Sequence, residues 1–472
     1  MKNYMLKHLV LWSTVIILLC GCGRKFLDVK PVASQKVPET IEDYMGILDY
    51  ISTMNANSSH ALGMIGGDEL IMSAEQYASF PTNTNQIWQI NAYLWKEHIY
   101  EGGEGDPVYN PLDWNMAYER ILKVNVVLDG INNMNPPAEL KTGWNNVKGI
   151  ALFHRAFNYY CLAQLFCPVY RRASEHSDLG LPLRLEGDVT AKVGRSNLAD
   201  TYHRILTDLK DAESLLPNTW QVKFRPGKAA VYALLARIYL QLEDYDLAYS
   251  YAQQCLELEN RLENYSELDL SRNPTFGAYG EGNKEIIWMN SGLMPAILFA
   301  DMFVSIDPSL LARYGDGDLR KEAFFGEGIY GSGVFKGSYE GSTSFFTGLA
   351  TDEVYLIRAE CAAREGNHDQ ALSDLTLLLK NRIHPEKFAT YDFPSESDIL
   401  DVILDERRKE LVFRGVRWED LRRLNREGRY SKVLERKLGD IRAELKPGDA
   451  RYVWPIPFEA VQIGGYPQNN RH

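Results

Sequence analysis

The chain has 472 residues, a formal net charge of −12 and 11% aromatic residues. That length suits two or three ordinary domains or one large helical one, and it is enough to bury a substantial core. The acidic balance argues against nucleic acid as a partner and against an electrostatic membrane patch.

The N-terminus is a leader. Lys2 and Lys7 form a short positive region, followed by an apolar run from Leu9 to Leu19. The run is too short to span a bilayer and reads as the apolar core of a secretory signal peptide. Leu19-Cys20-Gly21-Cys22 then places an aliphatic residue three positions before Cys22 and a small one directly before it. This resembles a bacterial lipoprotein cleavage box, with residues 1–21 removed and Cys22 lipidated. Cys20 is the poorer choice because bulky Leu19 precedes it. The plainer alternative is an ordinary signal peptide with two incidental cysteines. Each buried methylene contributes about 0.8 kcal/mol, so several acyl chains hold a protein at a membrane almost permanently. Removing Lys2 and Lys7 with the leader takes the net charge to −14.

No later stretch is long and apolar enough to cross a membrane. Beyond the leader, Cys161, Cys167, Cys255 and Cys361 form no CxxC pair, which speaks against a zinc or redox motif. They suit small apolar core positions. A Cys161–Cys167 disulfide stays open at this level.

Apolar residues recur at helical spacing from Asp113 to Asn133 and from Asn145 to Phe166, where Pro168 stops the pattern. A third helix is expected from Leu198 to Leu216, ended by Pro217. Two more fill Gly227 to Leu258 around a break at Glu243-Asp244. Another pair spans Thr351 to Leu379 around Gly366-Asn367, and Ser395 to Asn425 reads as a long, charge-laced helical stretch. With Ala248 placed on Ala371, Tyr232 falls on Tyr355, Ala236 on Ala359 and Asp246 on Asp369. Helix, short turn, helix, with small residues at the close approach, is the tetratricopeptide pattern. The expected fold is therefore mainly α: a tetratricopeptide-like helical-hairpin scaffold.

Gly66 to Pro111 and Glu259 to Ser344 lack that period and are rich in Gly, Asn, Ser and aromatics. Long irregular segments in a compact domain are usually functional, so these are the expected ligand-binding loops.

Ordered blocks along the chain resemble the SusD/RagB family of surface lipoproteins. They begin with Phe26-Leu27-Asp28-Val29-Lys30-Pro31 after Cys22, followed by Trp114, Tyr118, Ile121 and Asn125 at helical spacing. Next are Arg155-Ala156-x-x-Tyr159 through Phe166-Cys167-Pro168-Val169, Gly180-Leu181-Pro182-Leu183, and Arg195 to Pro217. Tyr314, Asp318 and Arg320 fit a further element. Glu406 to Leu421, Trp454-Pro455-Ile456-Pro457 and Asn469 close the series. Cys167 stands where the family usually has glycine, and Arg414 where it usually has an acidic residue. The resemblance implies one domain over residues 22–472, with an N-terminal part to 217 and a C-terminal part from 218. It also implies a SusC-like TonB-dependent transporter as partner, a glycan or oligopeptide ligand, and a lipid anchor in the outer membrane facing the exterior. The matching motifs are framework; ligand residues in the family sit in variable loops.

Sugar recognition needs flat apolar faces beside polar groups, because a pyranose offers C–H groups on one face and hydroxyls at its edge. Gly66 to Pro111 supplies Trp88, Tyr93 and Trp95 with Asp68, Asn83, Asn85 and Asn91. If that piece were helical, Trp88 and Trp95 would share a face. Trp95 and Tyr93 are the leading candidates, then Trp88, with Asp68 and Asn91 as polar partners and Trp288 opposite. Set against this is a core role for each ring.

No catalytic motif is apparent. The nine histidines include no HExxH, and neither a cofactor nor a metal is called for. Asp316 and Asp318 suggest calcium only faintly, lacking a terminal glutamate. Glu406, Arg407, Arg408 and Glu410 are expected to pair with Arg417 and Asp420 as an ion network bracing the C-terminal helices. Trp454 to Pro457 cannot be helical and is expected to clamp over the core. A non-enzymatic, glycan- or peptide-capturing lipoprotein is the first expectation. A periplasmic or surface tetratricopeptide assembly adaptor is the alternative, and a secreted glycoside hydrolase a more distant one.

Overall fold

The computed structural model describes residues 37–81, 86–100, 112–298, 302–328, 333–342 and 344–472. The proposed lipidation site Cys22, together with Asn83 and Asn85, lies outside the described residues. Helices dominate, and the described strands pair in short two-stranded antiparallel ladders.

The short helices that come first include α1 (Ile41–Leu48), α2 (Ala61–Gly66) and α3 (Ile87–Tyr93). The long helices α4 (Leu112–Asn132), α5 (Lys141–Phe166) and α6 (Leu198–Leu215) follow. One buried arginine ties these three together. Arg155 of α5 donates to both carboxylate oxygens of Asp208 on α6, at 2.7 and 2.8 Å, and to Asn125 Oδ1 on α4 at 3.0 Å. A guanidinium fork matches a carboxylate, so the pairing sets helix register as well as satisfying charge. Asp113, at the start of α4, accepts from the backbone of Ala61 and Leu62 and so caps α2 from a distance.

Helix α5 ends at Phe166. Cys167 is extended (φ −118°, ψ 156°), as suits a residue before proline. This backbone needs no glycine, which explains why cysteine is accommodated there. All four described cysteines are buried free thiols.

The two hairpins appear where the sequence alignment places them. They are α7 (Lys228–Gln241) with α8 (Tyr245–Leu258), and α9 (Thr351–Arg364) with α10 (His368–Lys380). Asp244 and Asn367 cap the second helix of each pair. The equivalent alanines Ala236 and Ala359, and Ala248 and Ala371, are buried, which lets the helices approach closely. Helix α8 also packs on α9, so the hairpins stack.

The stretch Ser395 to Asn425 is not one helix. It splits into α11 (Ile399–Glu410) and α12 (Arg417–Leu424). Between them Phe413 (φ 53°) and Gly415 (φ 81°) reverse the chain. Gly415 is required twice over, since a Cβ there would sit 2.5 Å from the His60 ring. Arg414, the family departure, is buried with a partner: it donates to Asp352 at 2.9 Å and lies over the rings of Phe346 and Tyr339.

An ion network is present, but it forms the expected pairings only in part: Arg408 and Arg417 both turn to Asp68. Arg407 donates to Asp420 at 2.8 Å. Arg320 reaches Asp318, Glu406 and Glu410, and Arg382 bridges Glu285 and Glu410. Buried carboxylates Glu285, Asp352 and Glu410 lie close enough together to suggest a metal, but guanidinium groups already face all three.

The C-terminal segment is a clamp. Trp454 donates its backbone N–H to Leu165 and stacks on Trp418 with ring centres 5.3 Å apart. Asn469 donates to the carbonyls of Phe166 and Trp454. Trp288 packs edge-on against Phe153 and Phe157, so residues on either side of position 217 share one core.

Candidate functional site

The two irregular segments meet. Strand β1 (Leu70–Ile71) pairs antiparallel with β2 (Ser305–Ile306). Successive strand side chains face opposite ways. Leu70 lines an apolar cavity of about 130 Å³ with Phe335, Phe345 and Phe413. Ile71 lines an open cleft of about 610 Å³ with Met72, Tyr93 and the hairpin of β3 (Leu434–Leu438) and β4 (Ile441–Leu445).

The six residues proposed from sequence are all buried in this structure. Trp95 is 0% exposed, and its indole N–H donates to Gly66 at 3.0 Å. Helix α3 ends before it, and Trp95 itself is left-handed (φ 50°), so Trp88 and Trp95 do not share a helical face. The tryptophan occupies the position where glycine commonly ends a helix. Tyr93 is buried; its hydroxyl accepts from Met72 N–H, and only its edge borders the cleft. Arg436 of β3 lies over both rings, 4.3 Å from the centre of Tyr93 and 5.0 Å from that of Trp95. Trp88 and Trp288 are also buried, with Trp288 donating to Phe224. Asn91 donates to Ile99. Asp68 accepts from Arg417 and Lys432 and pairs with Arg408 at 3.0 Å, and these cations hold its carboxyl well below the usual range despite burial. Trp95 and Trp288 satisfy their indole N–H on nearby backbone, and the buried Asp68 carboxylate is paired, as burial of polar groups requires.

Among the described aromatics of the irregular segments, Tyr279 is the exposed one, at 65%; Tyr77 is partly so. It adopts φ 53°, ψ 30°, held by its backbone N–H donating to Glu340 at 2.7 Å. Its ring centre is 6.4 Å from that of half-buried Phe224. The adjacent Arg225 lies over the Trp220 ring at 5.2 Å and grips Asp49 with two hydrogen bonds of 2.8 and 2.6 Å. Tyr50, next along the chain, is 62% exposed. The result is a surface patch of aromatic faces with an Arg–Asp pair beside them. Residues 220–225 lie outside the segments marked as loops by sequence. Their signal was the short run from Pro217 to Gly227, which breaks helical period yet carries Trp220 and Phe224.

The described residues form a stacked helical-hairpin scaffold carrying aromatic-rich loops. Residues 25–240 match a family model described as SusD-like, starch-binding associating with outer membrane, and residues 349–469 match the SusD family model. The chain belongs to the SusD/RagB family. It is 31% identical over 156 residues to SusD-like protein P2 of Formosa agariphila, a match spanning 33% of this chain and 29% of that protein. A SusD superfamily protein from Bacteroides thetaiotaomicron superposes with a TM-score of 0.73 at 20% identity, covering 92% of this chain and 100% of the other. A SusD-like carbohydrate binding protein from Bacteroides vulgatus gives 0.64 at 20% identity, covering 91% and 97%. At these identities the structures establish a shared fold.

Proposed function

We propose that this protein is a lipid-anchored, non-enzymatic component of the outer membrane that captures glycans at the cell exterior. It hands them to a SusC-like TonB-dependent transporter. The observation that carries the glycan reading is exposed Tyr279 against half-buried Phe224, with the Arg225–Asp49 pair adjacent. A stacking ring with hydrogen-bonding groups at its edge suits a pyranose. Support comes from the family description, starch-binding associating with outer membrane, and from a carbohydrate-binding structural relative. The leader supports Cys22 as the acylated residue.

Three measurements test this reading. Glycan pull-down with an activity assay is expected to show retention without hydrolysis; hydrolysis would favour a glycosidase. Purification in mild detergent is expected to recover a large barrel protein with the tagged chain, and repeated recovery of the monomer alone would remove the transporter partnership. Cys22→Ala is expected to abolish fatty-acid labelling and release the protein from membranes; persistent labelling would refute the anchor. An oligopeptide ligand would show instead as peptide retention.

A further inference from the structure

Four buried arginines have no carboxylate in ion-pair range among the described residues: Arg120, Arg422, Arg436 and Arg471. Arg120 is wrapped by Asn158 and the carbonyls of Ala56 and Asn57. Arg436 lies across Tyr93 and Trp95, and Arg471 across Trp454. Arg436 borders the open cleft of the β3–β4 hairpin, and Arg422 lines a cavity of about 490 Å³ with two further arginines, Arg171 and Arg426. The Arg422 guanidinium donates to the carbonyls of Gln164 and Cys167, while its Nε is buried without a partner. A buried cation held by carbonyl dipoles, with the Glu419 carboxylate acting on it from beyond ion-pair range, carries a desolvation cost that an anion in the cavity would lower.

The cavity is built from three distant pieces of chain: the loop after α5, the end of α12, and the turn after β4 with the C-terminal segment. Arg171 is exposed and has no carboxylate partner among the described residues. Arg426 is half-exposed and pairs with Glu243. The two lining carboxylates are both engaged. Asp449 receives two hydrogen bonds from Arg451, and Asp178 accepts from Ser174. Asn425 and Tyr452, bonded to each other at 2.9 Å, add polar groups to the wall, and Pro168, Val169 and Pro447 add apolar ones. With Arg426 paired to Glu243 and Asp449 to Arg451, Arg171 and Arg422 stand against Asp178, which leaves the cavity locally positive in a chain of net charge −12. The volume suits a ligand of one or two sugar rings.

We propose that this cavity binds the acid group of an anionic sugar unit, a carboxylate or a sulfate, at a site separate from the Tyr279 patch. The inference rests on the glycan reading for the polyol part of the ligand and on the three guanidinium groups for the oxyanion. Guanidinium forks match both oxyanions geometrically.

Calorimetry on the full chain tests it with four probes: tetragalacturonate, a sulfated tetrasaccharide, a neutral tetrasaccharide and free sulfate. The variants are Arg171→Gln/Arg426→Gln and Tyr279→Ala, with Arg171→Glu alone as a charge reversal at an exposed position should the double variant melt early. At least one acidic probe is expected to bind, to weaken about tenfold or more in the arginine variants, and to persist in Tyr279→Ala. The carboxylate and sulfate arms show which acid the cavity takes. Acidic-probe binding that ignores the arginine variants overturns the proposal, as does failure of every acidic probe and of free sulfate. Neutral binding that depends on Tyr279, without acidic binding, leaves the glycan reading standing and removes this site. Arginine-dependent acidic binding, with neutral-probe binding that Tyr279→Ala leaves unchanged, keeps this site and removes the patch.

Discussion

Arg436 covers the ring of Tyr93, with its guanidinium carbon 4.3 Å from the ring centre. The same side chain donates to the carbonyls of Leu70 and Gly67. The hairpin of β3 and β4 thus pins the first irregular segment through a cation–π contact and two backbone carbonyls. The face that would otherwise be free to stack on a sugar is already occupied.

Trp95→Ala is expected to destabilise the protein by about 3–5 kcal/mol, because it empties a fully buried indole site and strands the Gly66 carbonyl. Thermal melting measures this. An unchanged melt with lost glycan binding would return Trp95 to the ligand site.

Tyr279 separates binding from folding. A non-glycine residue at φ 53° carries backbone strain of about 1 kcal/mol, which glycine would relieve. Tyr279→Gly is expected to melt no lower than the parent while losing about 2 kcal/mol of glycan affinity, roughly thirtyfold. Retained affinity in that variant would move the platform elsewhere.

Glu69 makes stability depend on pH. Burial, with the neighbouring Asp68 charge adding to it, pushes its carboxyl up to about 7, against the hydrogen bond it accepts from Phe413 N–H. A folded-state value above the unfolded one, 4.5, means the folded chain holds more protons between pH 4.5 and 7. Its contribution to stability is therefore full below pH 4.5 and falls as pH rises through 7. Glu69→Gln cannot ionise and keeps an acceptor for Phe413. Relative to the parent, the variant is expected to gain up to about 3 kcal/mol between pH 4.5 and 8. Denaturant unfolding at several pH values measures the difference, and parallel pH profiles for the two proteins would contradict it.

Arg382→Met is expected to cost about 3–5 kcal/mol, since it leaves the buried carboxylates of Glu285 and Glu410 without their shared cation. Adding Glu285→Gln to it is expected to recover part of the loss. A double-variant cycle by denaturant unfolding reads the coupling, and simple additivity would show that the network is not one unit.

Local regularities of the chain already determine much of this molecule. The helical period, the stops at Pro168 and Pro217, and the match of Ala236 and Ala248 to Ala359 and Ala371 specify the hairpins, because these are effects of neighbours three or four residues apart. The Glu406 to Asp420 charges announce an ion network, but its partners Arg320 and Arg382 come from elsewhere in the chain. What the sequence leaves open is which aromatic rings face inward. Trp95 and Tyr279 look alike as aromatic residues in glycine-rich segments, yet one is covered by Arg436 and the other stands exposed beside Phe224. That distinction depends on partners 341 and 55 positions away, brought close only when the hairpin of β3 and β4 and the 220–225 turn dock. Burial is a property of the assembled chain, so the tertiary structure alone decides which rings are available to bind.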